Sequence, residues 1–474
     1  MAPRDLKNPS VVILVADGAR PDVLAAAIDT GALPTLARLR SEGGLHTVSS
    51  VFPSVTGPAY TPFLMGRHPG PIGLAGIRWF DRARARTRWP SWSRSYVGID
   101  MLELDRDLDP AAPTLFELAS SRLGALSVIE RGLQRHEIVA RGAAFTARAA
   151  LAHFRGNVEG WLDIDRRVAG TFTRRLAAER PQFGFCALTG IDKTSHSAGH
   201  AAPVVLDAMK IVDQTAATIR ADAERDGSWD AMHMWIVSDH GHSPVHTHDD
   251  LADLLRAHGV SVRTHPWTVG IGQRAAVMVS GNSMAHLYLD IDKLARPWWS
   301  ALSSEWEWLA ELLLARDSTD LLLLPLNESA CEVRSRTRGT AHVSTASGHL
   351  SYRPLTGDPL GLGELNALDP DAAHDATAAS DYPDALVQIA LLAGSARAGD
   401  LIVSAARGWD FRAKWEPIPH RSAHGALHRE HMAVPLLINR PAARRPRRTV
   451  DLFPSALEAL GIAAPPLCDG RSWR

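Results

Sequence analysis

The sequence predicts an α/β fold: a three-layer sandwich with a largely parallel central sheet flanked by helices, plus a small inserted antiparallel lobe. Two observations lead there. Short, buried, β-branched runs bounded by turn residues alternate with amphipathic helical stretches, the pattern of a parallel sheet covered on both faces. Between residue 263 and about 420 that rhythm gives way to short alternating runs separated by Gly and Ser, the pattern of hairpins. The chain, 1–474, reads as one α/β domain with a substrate-facing lobe at about 263–420.

The elements follow in order. Ser10–Ala16 (SVVILVA) is a strand, being a short β-branched run that Asp17-Gly18 ends. A helix is expected in LPTLARLRSEGG, with Pro34 early and glycines at its exit. Residues 125–129 (ALSVI), Phe183–Leu188 (FGFCAL), 234–237 (MWIV), Leu401–Ala405 (LIVSA) and 434–438 (VPLLI) are further buried runs of strand length. The clearest helix starts at Pro203. There Val205, Ala208, Met209, Val212, Ala216 and Ile219 fall at 3.6-residue spacing, and Gly227 is a plausible stop. Within the lobe, ACEVRSRT, TAHVST and HLSYRPL read as hairpin strands.

Composition removes several functions. With 51 Lys+Arg against 52 Asp+Glu, the net charge is -1, so no overall field gathers a nucleic acid polymer or an acidic membrane. Three cysteines (Cys186, Cys331 and Cys468) build neither a disulfide framework nor a four-thiolate metal site, which fits a reducing compartment. Residues 11–16 are too short for a signal-peptide core, and no apolar run approaches membrane-spanning length. The expected location is therefore cytoplasmic, with no membrane partner. The odd number is 21 His, more than Tyr and Phe together.

The chemistry lies after the strands. Asp17-Gly18 follows the first, Asp192-Lys193-Thr194-Ser195-His196 lies just beyond the Phe183–Leu188 run, and Ser238-Asp239-His240-Gly241 follows 234–237. The carboxyl ends of strands are where open α/β sheets build sites. A mixed Asp/His set suits a borderline divalent ion such as Zn2+, with Mn2+ the alternative, and two such groups suggest two metals. A nucleophile candidate is Thr56, just before Gly57-Pro58, where a helix can begin. A hydroxyl there sees backbone N–H groups that suit a phosphoryl oxygen, and metal coordination would lower its pKa. The bland readings are capping and turn formation for the aspartates and an N-cap for Thr56.

Taken together these residues resemble the alkaline phosphatase superfamily, in particular its nucleotide pyrophosphatase/phosphodiesterase branch. VADGARPDVL matches the family's strand-Asp-Gly motif, FPSVTGP its nucleophile motif, DKTSH its Asp-x-x-x-His pair, and SDHG its Ser-Asp-His-Gly motif. SAHGALHREHMAVPLLI matches its late His-Gly, and thereby adds His424. The resemblance implies an alkaline-phosphatase-like fold. It implies that Asp17, Thr56, Asp239 and His240 hold one metal, that Asp192, His196 and His424 hold the other, and that Thr56 attacks phosphorus to give a phospho-threonine. The expected substrate is a small phosphodiester or nucleotide-like pyrophosphate.

Where family members often carry an Asn that touches a phosphoryl oxygen, this chain has Ile77. Gly57 and Arg78 are the candidates to take over that contact. Trp79, with Trp89 and Trp92, either packs in the core or the lobe, the favoured role, or stacks on a flat leaving group. The departure keeps phosphomonoester and phosphonate hydrolysis as alternatives, and non-catalytic binding of a phosphorylated ligand as a third. His200, His242, His246, His248, His428 and His431 are expected to be surface residues or hydrogen-bond partners of ligands. Lys193 and Arg20 either face substrate charge or are solvated. The sulfatase nucleophile pattern is absent around all three cysteines. Oligomeric state is left open.

Overall fold

The structure, a computed structural model, describes residues 8–83, 93–97, 99–265, 272–412 and 419–474. Trp89 and Trp92 lie outside them. Ser10–Ala16 forms the middle of a seven-stranded sheet. Its two neighbours, Phe183–Leu188 and Met232–Val237, both run parallel to it. Arg122–Ala125 and Ile138–Val139 extend the sheet in parallel on one side. On the other side Ala433–Ile438 is antiparallel to Met232–Val237, and Leu45–Ser49 is antiparallel to that. Six of the seven strands therefore share a direction.

The period of two in the first strand explains why it sits in the middle. Val11, Ile13 and Val15 point into one apolar core, packed with Tyr60, Phe63 and the closing helix Leu452–Leu460. Val12, Leu14 and Ala16 point into another, under the helices Val158–Glu179 and Pro203–Asp226. A strand wet on either face would need polar residues at alternate positions, and this one has none. The helix from Pro203 buries its apolar stripe as expected and stops at Gly227, whose φ of +77° continues the chain in the left-handed region.

Residues 262–405 build a second sheet of nine strands, larger than the small lobe expected. All its pairings but one are antiparallel, and the runs at 330–335, 339–346 and 349–357 are consecutive hairpin strands. Leu401–Ala405, expected as a buried strand, lies in this sheet. It lies between Met284–Leu289 and Thr319–Asn327 and is antiparallel to both. A buried apolar run reads the same in any sheet covered on both faces, so hydrophobicity alone did not assign it. The strand expected at 125–129 occupies Arg122–Ala125, because Leu126 takes a φ of +50° and ends it. Among the described residues no helix is long and apolar enough to cross a membrane.

Candidate metal centre

Parallel register brings three strand ends level. Ala16 pairs with Leu188, and Val15 with Val237, so the chain leaves all three strands at one edge. Asp17 follows the first strand and Asp239 the third. Asp192 sits in the first turn of the helix Gly190–Ala198, which starts beyond the second. That helix start is held by Asp165, which accepts the Gly190 N–H at 2.6 Å and the Thr189 N–H at 3.2 Å. Asp192 and His196, one turn apart, face the same way, with His196 Nε2 3.2 Å from Asp192 Oδ1.

Thr56 and His424 arrive from loops pinned to this edge. In the run 48–66 every residue is buried except Thr56. Ser50 donates to the Asp239 carbonyl, and Ser54 donates to the Ala426 carbonyl at 3.1 Å. The 3-10 turn Pro58–Tyr60 starts after Gly57, whose φ of +97° suits glycine. His424 follows the strand Ser422–Ala423. The turn of the second sheet at 281–283 holds it, with His424 N–H donating to the Gly281 carbonyl and Ser283 N–H to the His424 carbonyl.

The seven expected ligands come together. His240 Nε2 lies 3.4 Å from Asp17 Oδ1, 3.5 Å from Asp239 Oδ2 and 3.3 Å from Thr56 Oγ1. Asp192 Oδ1 lies 3.2 Å from His196 Nε2 and 3.5 Å from His424 Nε2. Ligand atoms around a tetrahedral Zn2+ stand about 3.3 Å apart, given bonds of about 2.0–2.1 Å. The three histidines each turn Nδ1 to a backbone carbonyl: His196 to Ser422 at 2.8 Å, His240 to Gly241 at 3.2 Å, His424 to Ser54 at 2.9 Å. A carbonyl only accepts, so Nδ1 carries the proton and each Nε2 presents a lone pair to the carboxylates.

That arrangement is short of positive charge. Asp17 and Asp239 are 1% and 0% exposed, and Asp17 Oδ1 and Asp239 Oδ2 are buried without a hydrogen-bond partner. Burial and the neighbouring carboxylates push Asp17 well above the usual range and Asp239 up to about 7. Burial also pushes Asp192 upward, but Lys193 and His196 hold it well below its ordinary value, with Lys193 Nζ at 2.7 Å. Burial drives His240 down to about 3 and His424 well below the usual imidazole range, which keeps both neutral and able to ligate. Buried acceptors converging without donors are what bound cations would satisfy, and the residues fit two of them.

Other expectations are placed differently. Trp79 is fully buried and packs edge-on against Tyr96 at 4.8 Å, which is the favoured core role and excludes the stacking platform. Arg78 lies beside the centre: its N–H faces Ser280 Oγ, next to the 281–283 turn, and its side chain lines a cleft with Arg256 and Arg412. His246 and His248 are exposed and His200 half-buried. His428 and His431 are buried, and His431 pins the Ala426 N–H and Ser243 Oγ. His242 takes the second of its two expected roles, a hydrogen-bond partner of a ligand candidate. It is 0% exposed with Nε2 3.0 Å from Asp192 Oδ1. Its position two residues beyond the strand-end ligand His240, on a chain that turns back, was the available signal.

Comparison with known proteins agrees with this geometry. The family model for type I phosphodiesterase / nucleotide pyrophosphatase matches residues 11–427. No curated protein matches the chain. Among solved structures, phosphonoacetate hydrolase from Sinorhizobium meliloti 1021 in complex with phosphonoformate is similar at 17% identity and a TM-score of 0.56, covering 97% of this chain and 96% of that one. Murine ectonucleotide pyrophosphatase/phosphodiesterase 5, an inactive variant in complex with AMP, is similar at 14% identity and 0.56, with 97% and 96% covered. The human protein of that name gives 14% identity and 0.57, with 97% of each chain covered. The chain thus belongs to the type I phosphodiesterase/nucleotide pyrophosphatase family, within the alkaline phosphatase superfamily, and is a phosphoryl-ester hydrolase.

Proposed function

We propose that this enzyme hydrolyses small phosphodiesters or nucleotide-like pyrophosphates, with Thr56 as nucleophile and a phospho-threonine intermediate. One observation carries the reading: buried carboxylates and imidazole lone pairs converge at metal-ligand spacing beside the single open side chain of a buried run, Thr56. Asp17, Thr56, Asp239 and His240 would hold one divalent ion, and Asp192, His196 and His424 the other. The donor set suits Zn2+, with Mn2+ next. Such ions, when bound, supply positive charge that lowers the pKa of a hydroxyl and offsets charge developing on phosphoryl oxygens.

The chain's own part is placement. Thr56 Oγ gives up its proton to solvent and forms a bond to phosphorus while the bond from phosphorus to the leaving oxygen breaks on the far side, and the departing oxygen gains a proton from water. Water then cleaves the phospho-threonine and restores the hydroxyl. The Gly57 amide is the proposed donor to a phosphoryl oxygen. The cleft with Arg78, Arg256 and Arg412 offers positive charge for an anionic remainder of the substrate.

The Ile77 position favours a second reading, hydrolysis of a phosphonate or a monoester, because Ile77 has no donor for a phosphoryl oxygen. One of the similar structures is a phosphonoacetate hydrolase. Metal analysis joined to a panel of nitrophenyl mono- and diesters and a phosphonate separates the two. The proposal expects turnover of the diester, loss with chelator, recovery with Zn2+, and a phosphate adduct on Thr56 by mass spectrometry after rapid quenching. Intact activity in Thr56→Ala would overturn it.

A further inference from the structure

His242 packs against the second half of the centre in a way that the hydrogen-bond pattern defines closely. Its Nδ1 meets Ser422 Oγ at 3.2 Å. Ser422 Oγ in turn donates its proton to the Ser243 carbonyl at 2.9 Å. When that proton lies on the carbonyl, the serine oxygen accepts from His242 Nδ1–H. His242 Nε2 then presents a lone pair 3.0 Å from Asp192 Oδ1, itself an acceptor. Two acceptors at that distance repel unless a cation lies against both.

The surroundings are arranged for this contact. The rings of His196, His242 and His424 form a nearly equal-sided triangle, with centroids 5.0, 5.1 and 5.2 Å apart. Their Nε2 atoms lie 3.2, 3.0 and 3.5 Å from the same oxygen, Asp192 Oδ1. Asp192, His196 and His242 bring ligand atoms within 4.8 Å of one another. Gly18 makes the room. A Cβ there would lie 2.9 Å from His242 Nε2 and 3.0 Å from Asp192 Cα. Arg20 fixes the backbone by donating to the His242 carbonyl at 2.8 Å.

We propose that His242 is a direct ligand of the second metal, completing an Asp192/His196/His242/His424 set. This rests on the two-metal reading above and goes beyond it. Four protein donors match the coordination number of a tetrahedral Zn2+, and His242 would bring the second half of the centre to the same donor count as the Asp17/Thr56/Asp239/His240 half.

The test uses the full chain loaded with Zn2+. Metal content and affinity are measured by chelator competition for the wild type, His196→Ala, His242→Ala and His242→Gln, and a zinc-edge anomalous map is taken of the wild type. The expected result is two ions per wild-type chain, with Zn2+ about 2.0–2.1 Å from His242 Nε2. Both His242 variants should bind the second ion more than about 100-fold more weakly, beyond the range of a partner that merely orients a ligand. Two ions retained at wild-type affinity in the His242 variants but lost in His196→Ala overturn the role of His242 alone. So does an ion more than 3 Å from Nε2, and the map does not depend on any variant folding. Fewer than two ions in the wild type overturns the two-metal reading and this proposal with it.

Discussion

The two large sheets of this molecule contribute very differently to its chemistry. In the central sheet, parallel strands all end on one edge, and three neighbouring ends lead to Asp17, Asp192 and Asp239. In the nine-stranded sheet, antiparallel pairing sends successive ends to opposite edges, and among the described residues the turn at 281–283 holds a proposed ligand, His424. The difference is topological. A parallel sheet concentrates loops of one kind at one edge, so charges on separate segments can be brought within a few ångström. An antiparallel sheet supplies a wall and an occasional well-placed turn.

The sharpest way to break that comparison is to remove the charge on which the most contacts converge. Asp192→Asn keeps the shape but leaves His196, His242 and His424 facing a neutral amide. We expect loss of one of two bound ions and a fall in kcat of roughly 1000-fold, the scale of losing a group the reaction needs. Metal analysis and steady-state kinetics on one preparation check it. Two ions with near-normal turnover would mean that the strand-end carboxylates are structural.

Two turns of the second sheet make a matched pair for the next test. Gly281 and Asn282 have φ of +60° and +65°, while Ser347 and Gly348 have +50° and +78°. Alanine at either glycine costs about 1 kcal/mol of backbone strain. At Gly348 the new Cβ meets nothing within 4 Å. At Gly281 it would lie 2.4 Å from Val55 Cγ1, 2.7 Å from the His424 carbonyl oxygen and 2.9 Å from His424 Nδ1. Gly281→Ala should therefore lower kcat/KM by roughly 10- to 100-fold, as expected for a displaced ligand. Gly348→Ala should lose about 1 kcal/mol of stability with unchanged kinetics. Equal kinetics in the two variants would show that the second sheet positions nothing.

Much of the central sheet was legible because buried parallel strands announce themselves as short β-branched runs ending in Asp or Gly. The ligand candidates were legible for the same reason, since each follows a strand end or stands beside a glycine. Leu401–Ala405 was not, because a doubly covered strand looks alike in either sheet. His242 was legible only as a surface residue or a ligand's hydrogen-bond partner, because its other contacts depend on the Ser422–Ala423 strand pairing with residues 243–244. Pairing over that sequence distance leaves no periodicity in the chain. Trp79 was legible as a core ring before a stacking platform, and its neighbours Phe80 and Tyr96 bury it.

The smallest expected effect concerns how the central sheet keeps its edge in order. Asp165 is buried on the helix Val158–Glu179 and holds the start of the Asp192 helix through two backbone N–H groups. Burial pushes its carboxyl up to about 7, although the Gly190 and Thr189 amides pull the other way. Because the folded pKa lies above the unfolded one, the folded state binds the extra proton between them. The stability from that proton is full below about pH 4 and is lost as pH rises toward 7, by up to a few kcal/mol. Asp165→Asn removes the titration but keeps an acceptor oxygen for one of the two amides. Urea unfolding of the metal-free chain between pH 4 and 8 should therefore show a shallower decline in the variant than in the wild type. Parallel curves would mean that the carboxyl titrates alike in the folded and unfolded chains, so that its burial and its two amide contacts offset one another. The second sheet, whose turn at 281–283 holds His424, should show no such coupling between a buried carboxylate and the Asp192 helix.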